Sequence, residues 1–195
     1  MPKCKACEQT VPISSIKLSI SPRGAVCAAC GRSIRPNQTT TLHEETFKKT
    51  QWDKYFHNLC IAVASKSSCL SRQIGAVIVS DHSIVSTGYN GPPRGYPHCD
   101  GAICPRHEKG YKSGEGLLEC PAAHAEANAI VNAARNGVST LGCTLYLNTL
   151  IPCKDCMILI INAGIKEIVC EELKLYHEMS ARLLVYTDIK VRTFV

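Results

Sequence analysis

The chain has 195 residues, 45% hydrophobic and 19% charged, with 13 cysteines and 22 Lys+Arg against 16 Asp+Glu. Such a composition excludes wholesale disorder and fits one folded domain with a real core plus a small appendage. No apolar run approaches the roughly 18–20 residues of a membrane span, and the opening MPKCKACEQT lacks the apolar stretch of a secretory signal. Many cysteines without an export signal argue against a disulfide scaffold and for metal ligation or catalysis in a cytoplasmic protein. The formal charge of +6 is concentrated: residues 1–40 hold Lys3, Lys5, Lys17, Arg23, Arg32 and Arg35 against Glu8 alone, a net of +5. The other 155 residues are nearly neutral, with 16 basic and 15 acidic groups.

Residues 1–40 read as a separate zinc-ribbon-like module. Cys4-x-x-Cys7 and Cys27-x-x-Cys30 stand 19 residues apart, with Gly31 after the second pair. Each pair lets two thiolates reach one tetrahedral Zn²⁺ from a tight turn. Residues 41–49 read as a linker, and residues 50–195 as the main domain. Apolar residues from Trp52 to about Ser65 recur at helical spacing. Ile74–Ser80 and Ser83–Tyr89 then predict two strands joined at Asp81-His82, an antiparallel hairpin. The 34 residues from Asn90 to Ala123 show little periodicity but contain Cys99, Cys104 and Cys120, so a metal is a ready way to order them. Beyond them the pattern predicts a helix over His124–Gly137, a strand over Cys143–Asn148, a helix over Cys153–Ala163 and a strand over Ile165–Cys170. A helix over Tyr176–Leu184 and a strand over Ile189–Phe194 complete the order α-β-β-α-β-α-β-α-β.

Two helix starts carry the chemistry. His124-Ala125-Glu126 opens one helix, and Pro152-Cys153-Lys154-Asp155-Cys156 opens another. Cys153 and Cys156 share a helix face, and the helix N-terminus favours their thiolate forms. Two successive right-handed crossovers place both helices on one side of the sheet, with their N-termini at the same edge. His124, Cys153 and Cys156 can then share one Zn²⁺ and leave a fourth position for water, which is the catalytic arrangement. Two thiolates and a neutral imidazole leave such a zinc without net charge, so water there needs a nearby base, and Glu126 is placed to be it.

This His-x-Glu with Pro-Cys-x-x-Cys pattern resembles the signature of zinc-dependent nucleobase deaminases. Over residues 50–195 the stretches WDKYF, SSCLSRQIGAVIV, STGYNGPPRG, PHCDGAIC, SGEGLLECPAAHAEANAI, GVSTLGCTLY, PCKDC and INAGIKEIV widen the likeness. They resemble the deoxycytidylate (dCMP) deaminase family that includes the bacterial late-competence-operon deaminases. The resemblance implies an α/β cytidine-deaminase-like three-layer fold, a five-stranded mixed sheet with helices on both faces, here preceded by the ribbon. It implies dCMP + H₂O → dUMP + NH₃, which supplies dUMP for thymidylate synthesis, with water activated on zinc attacking C4. Glu126 would protonate N3 and then the departing amine. It also implies a structural zinc on Cys69, Cys99, Cys104 and Cys120, with His98 and His107 as nearby alternatives. Cys60, Cys143 and Cys170 fall in helix and strand patterns and are expected in the core.

For the substrate, Asn90 in GYNG resembles the asparagine that deaminases of this fold use near the nucleoside, although Asn-Gly is also simply a good turn. Arg72 is the candidate for a 5′-phosphate, with Ser71 standing where many relatives carry a second arginine. Arg135 and Arg94 are candidates for an allosteric or subunit-interface role, or are solvated arginines. By resemblance the enzyme is a hexamer regulated by dCTP, with Mg²⁺, and by dTTP. A polynucleotide deaminase acting on DNA or tRNA, docked through the basic ribbon, is the competing reading. The near-neutral body weighs against nucleic acid as a partner. A riboflavin-pathway deaminase is disfavoured because its second cysteine lies farther from the first. Intact Glu126 weighs against a non-enzymatic protein with a vestigial site.

Overall fold

The computed structural model of the chain describes residues 51–99, 101, 103–175 and 177–194. The expected ribbon, with Cys4, Cys7, Cys27 and Cys30, and the linker 41–49 lie outside the described residues.

The first element, α1 (Gln51–Ala64), buries Asp53, Phe56, Cys60 and Ala64, one stripe at three- and four-residue steps. A hairpin follows, β1 (Gly75–Ser80) and β2 (Ser83–Tyr89), turning at Asp81 and His82 with φ of 45° and 60°. Both turn residues are left-handed because a two-residue hairpin turn must match the right-handed twist of its strands. The chain continues through α2 (Pro105–Glu108), a single 3₁₀ turn (Leu117–Glu119), α3 (Ala125–Arg135), β3 (Thr144–Leu147), β4 (Leu150–Ile151) and α4 (Lys154–Asn162). It ends with β5 (Glu167–Cys170), β6 (Glu172–Leu175), α5 (Glu178–Tyr186) and β7 (Lys190–Thr193).

The main sheet has five strands in the order β2-β1-β3-β5-β7. β1 pairs antiparallel with β2 and β3, whereas β3, β5 and β7 run parallel, so the sheet is mixed as expected. Period-two alternation sends Val77, Val79, Tyr146 and Val169 to one face, where they pack with Phe56 and Cys60 of α1. Ala76, Ile78, Leu145, Leu147, Ile168 and Val191 face the other way, onto α3, α4 and α5. Helices thus cover both faces, and α3 and α4 share one of them, as the crossover rule requires. Cys60, Cys143 and Cys170 are buried, as expected.

Gly88 allows α3 to lie directly on β2. A Cβ there would overlap Ala129 N and Ala125 O and come within 2.8 Å of Ala129 Cα. Ser86 Oγ donates to Ala129 O at 2.7 Å, and Asn128 and Asn132 donate from α3 to Tyr89 O and Thr87 O at 2.7 and 2.9 Å. On the opposite face, Asp53 of α1 receives two N–H groups of Arg192 from β7, one of them at 2.9 Å. Arg192 Nε also reaches Glu167 Oε1 at 3.3 Å.

Three features depart from the sequence pattern. β4 and β6 form a separate two-stranded parallel sheet, in segments too short or too polar to show strand periodicity. The last helix starts at Glu178, not at Tyr176, because His177 caps it: His177 Nδ1 accepts from Met179 N at 3.0 Å. It runs to Tyr186, two residues past the expected Leu184. The long segment after Asn90 is partly ordered by α2 and by the 3₁₀ turn.

Candidate active site

His124 and Cys153 are the N-cap residues of α3 and α4, both with extended backbone, and neither side chain caps its own helix. Ser, Thr, Asp or Asn would normally occupy such positions and bond the first turn. Here both side chains turn toward each other instead. His124 Nδ1 lies 3.4 Å from Cys153 Sγ and 3.3 Å from Cys156 Sγ. Among the described residues, this is the one group of three or more His, Cys, Asp or Glu with ligand atoms all within 4.8 Å of one another. A tetrahedral zinc with bonds of about 2.3 Å to sulfur and 2.0–2.1 Å to nitrogen sets its S and N ligands about 3.5 Å apart. The donor set and its spacing therefore fit zinc held by three protein ligands.

Electrostatics agree with that fit. Hydrogen bonding from Cys156, helped by His124, brings the Cys153 thiol down to about 4. Cys156 is pushed up in turn, because it donates to Cys153 and is buried. Its bond to Cys153 raises the His124 imidazole. One sulfur is already thiolate-like, and a dication would complete the ionisation of the second. Glu126, in the first turn of α3, is 5% exposed. Burial raises its carboxyl above the ordinary value, opposed by its own backbone N–H and the Cys156 thiol. A raised carboxyl beside a candidate metal is a group suited to moving protons near neutral pH.

These residues open onto a cavity of about 130 Å³ whose walls include His124, Glu126, Cys153, Asn90, Arg72 and Arg106. Asn90 is buried, and its amide braces the chain before β1: Oδ1 accepts from Ile74 N at 2.8 Å and Nδ2 donates to Arg72 O at 2.9 Å. Arg72 is exposed and donates through Nε to Ser113 Oγ at 3.2 Å. Ser180 of α5, fully buried, donates to Pro152 O at 3.0 Å, directly before the candidate ligand Cys153.

Residues 50–172 match the family model for the cytidine and deoxycytidylate deaminase zinc-binding region. The chain is 39% identical over 126 residues to the deoxycytidylate deaminase of Mycobacterium phage D29, covering 62% of this chain and 94% of that protein. This chain belongs to the deoxycytidylate deaminase family. It is also 38% identical over 146 residues to the Saccharomyces cerevisiae deoxycytidylate deaminase, a match covering 75% of this chain and 46% of the yeast protein. This family member thus spans about half the length of the curated yeast relative it matches. Among solved structures it is similar to the dCMP deaminase of cyanophage S-TIM5 in complex with dCMP and dUMP, with a TM-score of 0.61 at 26% identity over 75% of this chain and 99% of that one.

A second cavity adjoins the first in this deoxycytidylate deaminase family member, lined by Cys69, Cys99, Cys104, Cys120 and His107. These four thiols line one space, at wider spacing than the first set, and burial with the neighbouring Cys104, Cys69 and Cys120 sulfurs pushes the Cys99 thiol up to about 11. His107 Nδ1 is 3.2 Å from Gly101 O, and His98 does not line this cavity. Arg94 lies apart from both cavities, its Nη2 donating to Asn132 Oδ1 at 3.0 Å, and Arg135 is exposed in the last turn of α3. Sequence reasoning did not single out Arg106. Its signal was Pro105 after Cys104, a helix start inside a segment without periodicity. It also passed over Ser180, whose role appears only once α5 is packed.

Proposed function

We propose that the chain hydrolyses dCMP to dUMP and ammonia with zinc held by His124, Cys153 and Cys156. The observation that carries this reading is the buried carboxyl of Glu126 beside the His124–Cys153–Cys156 set, with Glu126, His124 and Cys153 lining one cavity. Bound zinc lowers the pKa of water and so supplies a nucleophile at neutral pH. The chain's own residues do the rest. Glu126 accepts a proton of the attacking water and delivers it to N3 of the cytosine ring. It then takes the remaining proton from the hydroxyl added at C4, which becomes the carbonyl, and passes it to the amine, which leaves as ammonia. Its burial keeps Glu126 largely away from bulk solvent. Asn90 orients the nucleoside by bracing the segment that carries Arg72, and Arg72 contributes positive charge for the 5′-phosphate. A nucleotide suits a body with little net charge better than a polynucleotide does. The cyanophage relative in complex with dCMP and dUMP supports the same substrate.

A structural zinc on Cys69, Cys99, Cys104 and Cys120, and a ribbon zinc on Cys4, Cys7, Cys27 and Cys30, complete the proposed metal content. Arg94 and Arg135 are proposed to serve subunit contacts or effector binding, in a hexamer responsive to dCTP with Mg²⁺ and to dTTP. Among the described residues no helix is long and apolar enough to cross a membrane, which is compatible with a cytoplasmic enzyme. The decisive experiment is a deamination assay on dCMP, dCTP, deoxycytidine and single-stranded DNA, with and without dCTP or dTTP. Turnover of dCMP is expected, and turnover of DNA without dCMP would sink the proposal.

A further inference from the structure

Arg106 is an arginine in an unusual setting. It is 7% exposed, yet it lines the cavity that contains His124 and Glu126. Its Nε donates to Glu115 O at 2.7 Å and its Nη2 to Lys112 O at 2.8 Å. No carboxylate among the described residues forms an ion pair with it. Carbonyl oxygens satisfy N–H groups but supply no counter-charge, and a buried charge without one is costly. Glu126 is the one acidic side chain on the cavity wall, whereas both Arg72 and Arg106 lie there. Arg106 also borders the cysteine cavity, which His124, Glu126 and Cys153 do not, so it sits at the side of the substrate cavity turned away from the metal set.

We infer that Arg106 is the second cation of the substrate site and, with Arg72, holds the 5′-phosphate of the nucleotide, an assignment that rests on the dCMP reading above. Arg72 is preceded by the neutral Ser71, and the second positive charge on the cavity wall comes from α2. The two carbonyl bonds fix the guanidinium plane in advance, and a guanidinium fork matches phosphate geometry. The same bonds fasten residues 112–115, so Ser113 is held where Arg72 Nε reaches it. The competing role for Arg106 is purely structural: a loop fastener, or a counter-charge to the neighbouring thiolates.

Comparing a substrate with its phosphate-free analogue separates these roles. In the full-length zinc enzyme, kcat/KM for dCMP and for deoxycytidine is measured in wild type, R106Q and R106K. Phosphate binding predicts that R106Q lowers the dCMP-to-deoxycytidine ratio about 10- to 100-fold, and that R106K, which keeps the charge without the fork, lowers it about 3- to 10-fold. A structural role lowers both substrates in step, and an unchanged ratio in either variant overturns the assignment. Should R106Q fail to accumulate as folded protein, the R106K ratio decides. A wild-type enzyme with no preference for dCMP would refute the dCMP reading itself, and this assignment with it, before any variant is compared.

Discussion

Replacing Gly88 by alanine is the sharpest test of how the fold positions the chemistry. A Cβ at this position would overlap Ala129 N and Ala125 O and sit 2.8 Å from Ala129 Cα, so the helix must retreat by about 1 Å to restore ordinary contact. Gly88 carries no left-handed φ, so the effect is steric and not a backbone penalty. Overpacking of this kind typically costs about 1–3 kcal/mol, offset by about 0.4–1 kcal/mol from the stiffer unfolded chain. The functional effect should be larger than the loss of stability. His124 occupies the N-cap position of α3 and Glu126 lies in its first turn, so a retreating helix opens the 3.3 and 3.4 Å contacts to Cys156 and Cys153. A displacement near 1 Å can reduce turnover by roughly 100-fold. Urea midpoints, bound zinc and kcat/KM on dCMP should all fall in Gly88→Ala. Gly91→Ala is the control, because its Cβ would meet Tyr89 ring carbons at 3.5 and 3.7 Å, an ordinary contact. A Gly88→Ala protein with wild-type midpoint and turnover would refute the idea that this close approach sets the position of α3.

Other expectations follow from single contacts. Glu126→Gln should retain zinc, as metal analysis would show, while kcat on dCMP falls by about 10²–10⁴-fold; turnover near wild type would remove Glu126 from the chemistry. Ser180→Ala leaves Pro152 O without its hydroxyl partner beside Cys153, so competition with a chelator should show zinc affinity lowered about 10-fold or more. Unchanged affinity would limit Ser180 to packing. Burial pushes the Cys60 and Cys170 thiols from 9.0 up to about 12. The unfolded chain releases these protons near pH 9 while the folded chain keeps them, so stability should decline from about pH 9 toward 12, by at most about 1.4 kcal/mol per unit for each thiol. Urea titrations at pH 8 and 10.5 should show a shallower decline in a Cys60→Ala/Cys170→Ala variant, and an equal decline would count against the explanation.

The sequence pattern conveyed the main sheet because the short apolar runs in GAVIVS, TLYL and EIVC, bounded by turn residues and buried on both faces, are a strong local signal. The candidate metal set was legible for a different reason: its three residues sit at helix starts, and crossover handedness brings those starts together. What stayed hidden depends on tertiary placement. Leu150–Ile151 is too short to show a period, and Glu172–Leu175 alternates with Glu and Lys like a surface segment. Arg106 stands in a segment without periodicity, and its burial within α2 depends on packing that no local pattern conveys. Asn90 drew attention as a substrate contact, yet its amide bonds to the backbone around Arg72, a pairing set by three-dimensional register.

The contact between Asp53 and Arg192 has a consequence for the order in which the molecule assembles. The two residues are 139 positions apart, and β7 is an edge strand that pairs parallel to β5. On a growing chain α1 can settle on β1 and β3 early, whereas its ion pair with Arg192 forms only when β7 arrives. His124, Cys153 and Cys156 have all been made by then. Metal capture can therefore precede closure of the sheet, and docking of β7, a contact of very long range, is the natural slow step of folding.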